Sequence, residues 1–127
     1  MIVVDSSVFI AILEQESDAE HFLSVLRGAT RRLASAITVY ETGIVIGARR
    51  GGQSADEIMA FLLELGVEIV PFAEPYISQA LDAYSRFGKG INPKARLNLG
   101  DSAAYALAKV LHVPLLFKAT DFSQTDI

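Results

Sequence analysis

Short apolar runs alternate with amphipathic segments along the whole chain, and that alternation restricts the fold more than any other feature. Runs at 2–5, 32–36, 67–70 and 114–117 read as strands. Between them lie six segments with helical spacing of apolar residues, at 8–14, 18–26, 38–50, 56–65, 73–87 and 99–111. Ala19, Phe22, Leu23 and Leu26 share one helical face, as do Ile77, Ala80, Leu81 and Tyr84. Punctuation agrees with these limits. Gly28, Gly51-Gly52 and Gly66 close helices, and Pro71 ends a strand. Thr38-Val39-Tyr40-Glu41 has capping-box spacing, and 88–98, with Gly-Lys-Gly and Asn-Pro, reads as a loop. The order β-α-α-β-α-α-β-α-α-β argues for an α/β sandwich around a mainly parallel sheet.

The 127 residues suit a single domain, 1–127, with no repeat, low-complexity stretch or linker. Such a length buries a core without staples. The absence of cysteine excludes disulfides and thiolate metal sites. Met1-Ile2-Val3-Val4-Asp5 has no basic region and an immediate acid, which argues against a signal peptide. No uncharged apolar run has the length of a membrane span. A cytoplasmic location is the expectation.

Four acids stand where strands end or helices begin. Asp5 and Asp121 follow apolar runs, and Glu41 and Asp101 lie in first turns of helices. In an open parallel sheet, ligands bind beyond the carboxyl ends of the strands. Short connections would bring all four acids to one cleft there. Carboxylates gathered in this way repel one another until a cation neutralises them. An all-oxygen set suits Mg²⁺, or Mn²⁺. Such ions activate water and clamp phosphodiesters. Each acid also has a purely structural reading. Asp5 caps the first helix, Glu41 completes the capping box with Thr38, Asp101 complements its helix dipole, and Asp121 forms a turn with Ser123.

Other candidates are weaker. His112 at a helix end suits a dipole partner better than a general base, and His21 is remote from it in sequence. Gly88-Lys89-Gly90 lacks the rest of a phosphate-binding loop. Ser6 and Ser7 have no accompanying histidine signature of a nucleophile. Tyr105 and Lys109 share the helix face of Asp101. The net charge of −4 argues against a nucleic-acid partner at first sight. Between Asp82 and Asp101, however, there is no acid, but there are Arg86, Lys89, Lys94 and Arg96. They are candidate phosphate contacts or an ordinary solvated loop. Hydrophobic residues make up 51% of the chain. The stretches 44–46 and 58–63 are either core or partner surface.

Several of these segments together resemble one family. They are Val3-Val4-Asp5-Ser6-Ser7, Thr38-Val39-Tyr40-Glu41, the segment Leu97-Asn98-Leu99-Gly100-Asp101-Ser102-Ala103-Ala104-Tyr105-Ala106-Leu107-Ala108, and the ending from Leu115 to Ile127. Combined, they resemble PIN-domain ribonucleases, and most closely VapC-type toxins of bacterial type II toxin–antitoxin pairs. The resemblance runs from Ile2 to Ile127. It implies a three-layer α/β/α fold, Mg²⁺-dependent endonucleolytic cleavage of RNA, and inhibition by a small cognate antitoxin. Asp5 and Asp101 match the family's most regular metal-binding aspartates. Glu41 matches the acid at the start of the third helix. Asp121 matches the fourth acid, with Ala119 where relatives tend to have glycine, and Asp126 is the alternative for that place. The expected partners are RNA, an antitoxin and a second copy, with 44–46 and 58–63 as candidate contact stretches. The rival reading is a catalytically inactive PIN-like module that binds RNA or protein. A phosphoacceptor receiver domain fits poorly, because Asp56 starts a helix instead of ending a central strand.

Overall fold

The computed structural model describes residues 1–51, 54–91, 97–118 and 126. In chain order the elements are β1 (Ile2–Val4), α1 (Ser6–Leu13), α2 (Ala19–Gly28), β2 (Arg32–Ser35), α3 (Ala36–Arg50), α4 (Ser54–Glu64), β3 (Val67–Val70), α5 (Glu74–Phe87), α6 (Leu99–Leu111) and β4 (Leu115–Leu116). All four strands pair in parallel, in the order β3-β2-β1-β4. The strand–helix–helix alternation expected from the sequence is the one observed.

Successive residues of a strand point to opposite faces, and the two faces feed separate cores. Val4 and Ala34 pack with Val8, Phe9, Phe22, Leu26, Ile46, Ile58 and Leu62 from α1–α4. Val3 and Leu33, which pair across β1 and β2, pack with Leu107 and Ala108 of α6. The sheet is therefore the middle layer of three. A further cluster joins Ala83 of α5 to Leu97, Ala104 and Tyr105.

The two apolar stretches divide between core and surface. Ile46, Ile58 and Leu62 are core, whereas Ile44, Met59 and Leu63 are exposed. Tyr40, Ile44, Ile58 and Met59 line one shallow apolar hollow between α3 and α4. Among the described residues, no helix is long and apolar enough to cross a membrane.

Candidate metal and active site

The strands are parallel, so their carboxyl ends share one edge of the sheet. From β1 the chain moves outward to β2 and β3, then returns to place β4 on the other side of β1. The switch point of the topology thus lies between β1 and β4, where α/β sheets bind their ligands. Asp5, the residue after β1, stands there, and its backbone N–H donates to the Leu116 carbonyl (3.0 Å).

The Asp5 side chain caps α1. Its Oδ2 accepts from the Ser7 N–H (3.0 Å) and the Ser7 hydroxyl (2.6 Å). The Ser7 hydroxyl accepts in turn from the Lys118 N–H (2.9 Å), so the chain leaving β4 is tied to Asp5. The Lys118 ammonium pairs with Glu16 and Asp18 beyond α1. The structural reading of Asp5 therefore holds for one carboxylate oxygen. The other, Oδ1, is buried with no hydrogen-bond partner among the described residues. Burial drives the Asp5 pKa from 3.8 to about 6; the Ser7 hydrogen bonds oppose the rise and the negative charge of Glu41 adds to it.

For Glu41 the capping-box reading is corrected. The strand β2 runs straight into α3, and Ser35 is the last residue with extended backbone (ψ 144°). Ser35 is therefore the cap, accepting from the Ile37 N–H (3.2 Å). Thr38 is buried inside the helix, and its carbonyl accepts from the Thr42 hydroxyl (2.8 Å). Glu41, half-buried, turns toward α1 and accepts a hydrogen bond from the Ser6 hydroxyl at 2.7 Å.

Asp101 has a capping partner that the sequence reading overlooked. Asn98 caps α6, accepting from the Asp101 N–H (2.9 Å), while Asp101 Oδ2 accepts from the Asn98 N–H (3.0 Å). Asn-x-x-Asp at a helix start has the spacing that would have revealed it. Asp101 is buried. Its neighbour Gly100 lies directly against the Glu41 carboxylate. The starts of α1 and α6 and the second turn of α3 thus meet at the edge carrying Asp5. Among the described residues, no three acidic or histidine side chains close into a complete metal-ligand set. Asp121 lies outside the described residues.

Asp126 belongs to a different arrangement. It accepts from the hydroxyl of buried Tyr105 and pairs with Lys109 (3.1 Å) and, at longer range, Arg86 (3.9 Å). Burial pushes its pKa up, but the Tyr105 and Lys109 contacts outweigh that and hold it below the usual carboxylate value. Burial, then the bond to Asp126, pushes the Tyr105 hydroxyl up to about 12. Arg86 also pairs with Asp82 (3.2 Å), donates to the Tyr105 oxygen (3.2 Å) and lies over the Phe87 ring. Of the basic residues singled out in the sequence, Arg86 is engaged within the fold and Lys89 is exposed; Lys94 and Arg96 lie outside the described residues. His112 forms the left-handed C-cap of α6, roughly 16 Å along the helix from Asp101. His21 is exposed on α2 beside Phe22.

The donor chemistry fits a hard divalent cation. Asp5 supplies a buried oxygen that has no partner among the described residues, and a second carboxylate stands close enough to raise its pKa.

Fold and site together define a three-layer α/β domain with an acidic edge at the switch point of a parallel sheet. The PIN-domain family model matches residues 2–127, and the chain belongs to that family. Ribonuclease VapC30 of Mycobacterium tuberculosis is 39% identical to it over 98% of this chain and 95% of that protein. Ribonuclease VapC of Mycolicibacterium smegmatis is likewise 39% identical, over 98% of this chain and 96% of that one. Among solved structures, the sarcin–ricin-loop-cleaving toxin VapC20 of Mycobacterium tuberculosis superposes with a TM-score of 0.76 at 17% identity, over 97% of this chain and 93% of that one. A toxin–antitoxin complex from Klebsiella pneumoniae gives 0.73 at 19% identity, over 99% and 93%. These two likenesses concern the fold.

Proposed function

We propose that the chain is a Mg²⁺-dependent endoribonuclease, with Mn²⁺ as an alternative cation, and the toxin of a toxin–antitoxin pair. The observation that carries this reading is the buried Asp5 Oδ1, unpartnered among the described residues, beside Glu41 at the switch point of the sheet. The near full-length kinship with proteins named VapC ribonucleases supports the choice of RNA and of the toxin role.

Asp5 and Asp101 hold the cation, and Glu41 and Asp121 complete the acidic set. Bound there, the cation supplies the charge that activates water and neutralises phosphodiester oxygens. Ser7 fixes the direction of Asp5 by binding Oδ2, which leaves Oδ1 for the site. Glu41, held at one oxygen by Ser6, orients the attacking water with the other. Lys89, with Lys94 and Arg96, contacts RNA phosphates. The exposed Tyr40, Ile44, Met59 and Leu63 support a protein partner, either the antitoxin or a second copy.

The test is RNA cleavage by the purified, partner-free chain with Mg²⁺, with EDTA, and as Asp5→Asn and Asp101→Asn. Cleavage that needs the metal and is lost in both variants is the expected result. Cleavage that survives both substitutions would sink the assignment. Metal binding without any cleavage would favour the inactive binding module.

A further inference from the structure

Glu41 is the acid with the least support from its own helix. It lies beyond the first turn of α3, half-buried, on a flexible side chain. Its neighbour Asp5 carries the same charge, and the resulting repulsion would drive a free glutamate toward solvent. Two features on other elements oppose that outcome. From α1, the Ser6 hydroxyl donates to Glu41 Oε1 at 2.7 Å. From α6, Gly100 presents bare backbone to the carboxylate, and a Cβ built there would fall on both carboxylate oxygens. Any side chain at 100 therefore displaces Glu41. The φ of Gly100 is not in the left-handed region, so backbone conformation does not require glycine at this place. Ser6 is buried, as are Val8, Phe9 and Ala11 of the same helix.

We propose that Ser6 and Gly100 are positioning residues for Glu41. The Ser6 hydroxyl anchors one carboxylate oxygen, and the missing side chain of Gly100 forms the seat in which the carboxylate rests. The seat joins the starts of α1, which Asp5 caps, and α6, which carries Asp101, so it sets the aim of the third acid relative to the other two. Neither residue touches metal or RNA. The inference rests on the metal-site reading above for its consequence, but the seat itself exists in the metal-free chain.

The experiment is a pair of double-mutant cycles, Ser6→Ala with Glu41→Ala and Gly100→Ala with Glu41→Ala, read by calorimetric Mn²⁺ titration of the partner-free protein. Groups that orient a metal ligand typically contribute 10–100-fold in affinity. Ser6→Ala and Gly100→Ala are each expected to weaken Mn²⁺ binding about ten-fold when Glu41 is present, and to change nothing once Glu41 is alanine. Equal losses in both backgrounds, or no loss in either, would overturn the proposal, since a merely structural role does not depend on Glu41. A metal-free arm separates the seat from the metal reading: the ¹³C resonance of the Glu41 carboxyl in EDTA. It shifts in Ser6→Ala and in Gly100→Ala if the seat exists, and an unchanged resonance in both refutes the seat. If the wild type binds no Mn²⁺, the metal reading falls and the carboxyl resonance still decides the seat.

Discussion

Asp5 and Asp126 are the same chemical group in two opposed settings. Asp126 meets a cation, Lys109, and a phenol, Tyr105, and is held below its ordinary pKa. Asp5 is buried beside another carboxylate, keeps one oxygen without a partner among the described residues, and rises to about 6. The first arrangement serves the fold, since it fastens residue 126 to α5 and α6 and is balanced without any ligand. The second is unbalanced by itself. A buried charge without a partner is costly, and a fold retains it where a ligand supplies the missing charge.

The largest effect should come from removing the charge at the unbalanced edge. Asp5→Asn and Asp101→Asn are each expected to lower Mg²⁺-dependent RNA cleavage about a hundred-fold or more, measured as initial rates on one RNA. Asp126→Asn should leave the rate within about three-fold, since its partners lie in the fold. Equal losses in all three would erase the contrast.

The next effect concerns stability without metal. With its pKa near 6 instead of 3.8, Asp5 binds its proton more tightly in the folded than in the unfolded state. Its contribution is therefore most favourable below pH 4 and declines as pH rises to about 6, by about 3 kcal/mol. Asp126 has the opposite sign. Its lowered pKa stabilises the fold above the ordinary carboxylate range and is lost as pH falls through the folded value, with a small magnitude because the pair is exposed. Urea denaturation in EDTA should show wild type losing stability relative to Asp5→Asn between pH 4 and 7. A parallel dependence in the two proteins would mean that Asp5 is not strained.

Smaller effects sharpen the balanced side. Tyr105→Phe removes the hydroxyl shared by Asp126 and Arg86, and should cost about 1 kcal/mol without altering Mn²⁺ affinity. Gly100→Ala should stay within about 0.5 kcal/mol of wild type in EDTA, since a better helix former offsets the displaced glutamate. A large loss there would show that Gly100 serves packing.

The sequence disclosed the architecture well and the site unevenly. Strands β1 and β3 were legible because β-branched runs depend on local chemistry, whereas β2 and β4 contain no β-branched residue. Helix starts were less so. Asp5 is the expected cap of the first helix, yet α1 begins at Ser6, two residues before the expected Val8. Ser35 went unnoticed as the cap of α3, because a strand leading directly into a helix leaves no turn signal. The acids at 5, 41 and 101 were visible as residue types at junctions. Their distinct states were not, because these depend on partners far along the chain. Ser6 meets Glu41 across 35 residues, and Tyr105 meets Asp126 across 21.

On the proposed reading a cation completes the Asp5 edge, and thermal unfolding at pH 7 with and without Mn²⁺ tests this most directly. In EDTA, Asp5→Asn should melt above wild type. Saturating Mn²⁺, at about 100 times its dissociation constant, should stabilise wild type by about 2.7 kcal/mol and leave Asp5→Asn unchanged. If Mn²⁺ raises both melting temperatures equally, or if metal-free wild type is the more stable of the two, Asp5 is not the centre of a metal site.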